Sequence, residues 1–127
     1  MRFESPEYGE ESLKREVIRH ITSAASFFEE IGGEVLEIHE EHTKRRMSPQ
    51  SGLLSSLAVK DLEETARLIK KSSPEKSQMC AELAKEILNW FKAVWDIRRR
   101  QHPDFDIDGT YKSLLARIRI AKEEISN

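Results

Sequence analysis

The chain of 127 residues contains one cysteine, four prolines and five glycines, and it has no marked excess of either charge. Each scarcity excludes something. A lone thiol, Cys80, cannot close an internal disulfide, so the fold must rest on its apolar core, and a reducing compartment suits it. Acids (23) and bases (21) leave a net charge of −2, so binding to nucleic acid or an anionic membrane would need a local patch. No run approaches the ~20 apolar residues of a spanning helix. The opening "MRFESPEYGEES" lacks the apolar segment of a signal peptide. These absences lead us to expect a cytoplasmic protein that stays out of membranes and uses no cofactor. Alternating β-branched residues are missing too, which argues against a sheet.

What the sequence does contain is helical periodicity. Apolar residues make up 38% of the chain, and a single domain of this length buries roughly two-thirds of its unfolded surface. The pattern predicts a flexible tail over residues 1–9 and one helical domain over 10–127. From Val17 the apolar positions run Ile21, Ala24, Phe28, Ile31, Val35 and Ile38, alternating steps of four and three as in a heptad seam. A first helix over about residues 10–45 would be roughly 50 Å long at 1.5 Å per residue. Gly32 and Gly33 lie inside it and mark a bend or a close approach of another helix. "MSPQSG" reads as a linker before a second helix over about 53–71. Ser73 and Pro74 restart the chain as N-cap and first helical residue. The third helix, about 74–100, carries two apolar stripes: Cys80, Leu83, Ile87, Trp90, Val94 and Ile97, and beside them Ala84, Leu88, Phe91 and Trp95. Asp108 is placed to cap a fourth helix over about 109–125. The expected architecture is an all-α, four-helix up-down-up-down bundle with a long first helix, bent at Gly32-Gly33 if anywhere.

A first helix about twice as long as the second and fourth has more apolar seam than its own chain should cover. That surplus predicts a partner surface at Ile21, Ala24, Phe28, Ile31, Gly32, Val35 and Ile38, binding a second copy or another helical protein.

"RRRQHPDFDIDG", residues 98–109, supports a different reading. In an up-down bundle Lys44, Arg45 and Arg46 fall at the same pole as Arg98, Arg99 and Arg100, near two helix N-termini, where they could hold phosphates or nucleic acid. Basic residues also gather at helix C-termini simply to complement the macrodipole. Asp104, Asp106, Asp108 and Gly109 match the first half of a calcium-binding EF-hand loop, but Leu115 stands where the bidentate glutamate belongs. His39 and His42 share a helical face and are the other weak metal candidates. No histidine has a glutamate three residues before it, as a di-iron bundle requires. We therefore expect no metal site, and Cys80 reads as a buried structural thiol.

"FFEEIGGEVLEIHEEH" resembles the acidic helices of MazG-like nucleotide pyrophosphohydrolases, which carry Glu-Glu-x-x-Glu and would imply a metal-dependent hydrolase. Here Glu29-Glu30 are followed by Glu34, one place late. "AELAKEILNWFKAVWDIRRRQ" looks like the arginine-ended helix of the GINS replication-factor helical domain, implying a helical assembly subunit. That family's β-rich second domain has no counterpart here. The sequence is thus best read as a non-enzymatic helical interaction protein.

Overall fold

A computed structural model describes residues 6–41, 46–96, 102 and 104–127. It contains α1 (Pro6–Glu30), α2 (Gly32–Glu41), α3 (Pro49–Ile69), α4 (Pro74–Trp95) and α5 (Ile107–Ser126). There is no strand among the described residues. The protein is an all-α bundle in which α1, α3, α4 and α5 run up, down, up and down. Polar ties at the ends fix this order. The start of α4 meets the end of α3 through Ser77 Oγ, which donates to Ala66 O at 2.6 Å. It meets the end of α5 through Lys76 Nζ and Glu124 O at 3.1 Å. No helix among the described residues is long and apolar enough to cross a membrane.

Local sequence explains the helix starts. The Ser48 side chain accepts from the amide of Ser51 at 3.2 Å, with Pro49 in the first turn. Part of the expected "MSPQSG" linker is therefore helix. Asp106, not Asp108, caps α5 by accepting from Gly109 N at 2.9 Å, while Asp108 pairs with Lys112 at 2.8 Å. The shift brings Ile107 into the first turn, where its side chain is buried. Helix also begins at Pro6, inside the expected tail.

The predicted first helix is divided at Ile31 but keeps its heptad phase, and the helical ladder resumes with Val35 N donating to Ile31 O at 3.1 Å. This division corrects the expected surplus. Ile21, Ala24, Phe28, Ile31, Val35 and Ile38 are all buried by this chain, and Phe28 and Val35 are 0% exposed. After the break α1 has 25 residues against 21, 22 and 20 in α3, α4 and α5, so the four long helices match. The remaining ten residues form α2, which packs on α5 and shares one core with Met47 and Ile107. Gly32 is half-buried because a ring lies on it: a Cβ there would stand 2.9 Å from Tyr111 Oη.

Candidate interaction face

Among the described residues the exposed large apolar side chains are Leu13, Leu36, Leu53, Leu88 and Ile120, one on each helix. Isolated exposed leucines are normal on a protein surface. Leu88, 39% exposed, is different because Phe91 and Trp95 follow it along the same face of α4 and both are half-buried. Their ring centroids lie 5.6 Å apart. This is the second stripe of the sequence pattern. Its first member, Ala84, is enclosed, but its C-terminal half is only partly covered.

The cause lies on the facing helix. The start of α3 contributes Ser51, Gly52, Ser55 and Ser56, all small residues. A Cβ on Gly52 would stand 3.3 Å from Phe91 Cζ and 3.8 Å from Trp95 Cζ3, so the aromatic edges reach the α3 backbone itself. Above them is a groove of about 420 Å³ lined by Pro49, Gly52, Phe91, Lys92 and Trp95. Ser55 Oγ, one turn along α3 from Gly52, is buried without a hydrogen-bond partner among the described residues. The exposed lysines Lys85 and Lys92 have no ion-pair partner among the described residues.

Several polar groups elsewhere are already engaged. A larger groove, about 620 Å³, runs between α4 and α5, but its floor residues Trp90 and Leu114 are buried. Of its two carboxylates, Glu86 and Asp104, Glu86 is held by Arg117 through contacts of 2.9 and 2.6 Å, which lower it from the ordinary carboxylate value. His20 Nδ1 lies 2.8 Å from Asp61 Oδ1, tying α1 to α3, and its Nε2 is 3.4 Å from Arg19 Nη2. Both imidazole nitrogens are thus engaged. Glu34 accepts from Ser48 N at 3.0 Å, from Ser48 Oγ at 2.9 Å and from Ser51 Oγ, fastening α2 to the start of α3. These long-range ties leave no periodic trace in the sequence.

Of the predicted basic pole, Arg46 is exposed, while Lys44, Arg45, Arg98, Arg99 and Arg100 lie outside the described residues. His39, Asp104 and Asp106 are exposed and His42 lies outside the described residues. No group of three His, Cys, Asp or Glu side chains suited to a metal occurs among the described residues. Cys80 is buried, and desolvation pushes its thiol up to about 11, away from nucleophilic reactivity. The chain matches no family model, no curated protein and no solved structure.

Proposed function

We propose that this is a non-enzymatic helical interaction protein that docks another helical chain on the outer face of α4. One observation carries the reading: Leu88, Phe91 and Trp95 form a contiguous, half-covered apolar stripe beside which α3 places Gly52, with no side chain to cover the rings. Aromatic anchors in shallow grooves dominate the energetics of protein interfaces. The spacing of the stripe suits a helix-in-groove contact, with anchors on both sides recurring every three or four residues. The enclosed α1 seam takes no part in it.

A labelled amphipathic peptide of about five turns, with leucine and phenylalanine at heptad seam positions and glutamine elsewhere, tests this by fluorescence anisotropy. Binding is expected to weaken by about ten-fold or more in Leu88→Asp and in Trp95→Ser. Circular dichroism checks that both remain folded. Ile120→Asp, on a residue of α5 that is 53% exposed and does not line the groove, should bind as the parent does. Absence of binding to the parent, or equal binding to all four proteins, would overturn the proposal.

A further inference from the structure

We infer that Glu34 is a positioning residue for the α4 groove, acting through Ser48 and Ser51 to hold the first turn of α3 beside Phe91 and Trp95; this rests on the docking reading above. The groove is built from two helices. Phe91, Lys92 and Trp95 come from α4, while Pro49 and Gly52 come from the first turn of α3. The first amides of a helix have no carbonyl partners within it, so a helix start depends on outside groups. The start of α3 has a further deficit. It carries no acidic residue in its first turn, whereas α4 has Glu75 and α5 has Asp108 there. A carboxylate at that end complements the positive pole of the helix dipole.

Glu34 supplies this carboxylate from α2. Its Oε2 accepts from Ser48 N at 3.0 Å, and its Oε1 accepts from Ser48 Oγ at 2.9 Å and from Ser51 Oγ. Hydrogen bonds to a charged acceptor are roughly twice as strong as neutral ones. Ser48 passes the hold onward: its Oγ accepts from Ser51 N at 3.2 Å and its carbonyl oxygen from Gly52 N at 3.1 Å. One carboxylate thus secures the backbone that carries Pro49 and Gly52.

Small displacements of that backbone matter because the rings already lie against it. A Cβ on Gly52 would stand 3.3 Å from Phe91 Cζ and 3.8 Å from Trp95 Cζ3. Glu34 itself has a firm base. Ile31, Val35 and Ile38 around it are buried, and Tyr111 Oη holds the end of α1 by donating to Phe28 O at 2.7 Å. When the first turn of α3 loosens, one wall of the groove retracts, and a docked helix loses the contacts that wall provides.

The peptide above is titrated against Glu34→Ala, Glu34→Gln and Ser77→Ala. Ser77 serves as control, since its hydroxyl bonds Ala66 O at the opposite pole and does not line the groove. Glu34→Ala should bind about three- to ten-fold more weakly than the parent. Glu34→Gln, which keeps one accepting oxygen, should recover part of the loss, and Ser77→Ala should bind as the parent does. Adding Ser51→Ala to Glu34→Ala should weaken binding no further, because their contact is already gone. Hydrogen exchange reads the same hold without peptide. The amides of Ser51 and Gly52 should exchange about ten-fold faster in Glu34→Ala and at the parent rate in Ser77→Ala. Equal affinity of parent and Glu34→Ala, or an equal loss in Ser77→Ala, overturns the positioning role while the docking face stands. A peptide that binds none of these proteins overturns the docking face. Unchanged exchange at Ser51 and Gly52 in Glu34→Ala overturns the hold on α3 in either case.

Discussion

Alanine at Gly32 and alanine at Gly33 should change stability in opposite directions. Both glycines lie in the first turn of α2, where glycine costs up to about 1 kcal/mol relative to alanine. At Gly33 nothing lies within 4 Å of the new Cβ, so Gly33→Ala should stabilise by about 0.5–1 kcal/mol. At Gly32 the Cβ would stand 2.9 Å from Tyr111 Oη and 3.4 Å from Cε2. Tyr111 has little room to retreat. Its ring centroid is 4.8 Å from that of Phe28 and 5.7 Å from that of Trp90, and its hydroxyl donates to Phe28 O at 2.7 Å. Forced repacking costs about 1–3 kcal/mol. A weakened buried hydrogen bond adds about 1 kcal/mol. After subtracting the gain in helix propensity, Gly32→Ala should destabilise by about 1–3 kcal/mol. Urea unfolding measures both variants, and thermal melts should separate by about 3–5 °C for each kcal/mol. Tyr111→Phe removes the closest atom, so adding Gly32→Ala to it should cost less than it does in the parent. Two shifts of the same sign, or a Gly32→Ala cost unchanged by Tyr111→Phe, would refute the close contact.

Further expectations concern buried polar groups and charge. Ser55→Ala removes a buried hydroxyl that has no partner among the described residues and supplies a better helix former, so urea unfolding should show a gain of about 1 kcal/mol; a loss would mean that the hydroxyl is satisfied. Asp106→Ala deletes the α5 cap and should cost about 1 kcal/mol, whereas an equal cost at Asp108→Ala would dispute which aspartate caps. Burial raises Cys80 from 9.0 to about 11 and Tyr111 from 10.0 to about 12, so both favour the folded state while protonated. Their contribution is whole below about pH 9 and is lost as pH rises towards 12, on the order of 2 kcal/mol each. Cys80→Ala should flatten the fall between pH 9 and 11, and unchanged parent stability across that range would count against the burial. Arg117 lowers Glu86, so that pair stabilises above the ordinary carboxylate range and weakens as pH falls through the lowered value. With both side chains 40% or more exposed, Glu86→Gln should cost well under 1 kcal/mol near neutral pH and nothing in acid.

Most of the fold was legible because helical burial has a period. The positions from Val17 to Ile38 were recognisable as a seam, and each is buried. The second and fourth helices were equally clear, with Leu62, Ile69, Leu114 and Ile118 inside as their spacing requires. Period does not say whose surface covers a seam. The division at Ile31 turned an expected surplus into α2, whose Val35 and Ile38 share a core with Phe28 and Tyr111, themselves 83 positions apart in sequence. Two local signals were ambiguous for a physical reason. Ser48, Pro49 and Gly52 are turn formers, yet the same serine and proline are also a helix start. "DFDIDG" offers three possible caps, and the burial of Ile107 favours the second.

The misplaced apolar surplus shows where exposure comes from. The α1 seam is longer than the second stripe of α4, yet it is fully enclosed, so the length of a stripe does not measure its exposure. The size of the residues opposite decides it. At the open end of the α4 stripe, α3 contributes glycine and serines, and the Phe91 ring already stands 3.3 Å from the position of a Cβ on Gly52. A larger side chain at position 52 would push the ring outwards before it covered it, because Phe91 meets backbone where a side chain would have to fit. The stripe therefore is not closed by enlarging the residue at position 52. On the reading proposed above, a helix laid along Leu88, Phe91 and Trp95 from outside the bundle removes the remaining apolar area from water.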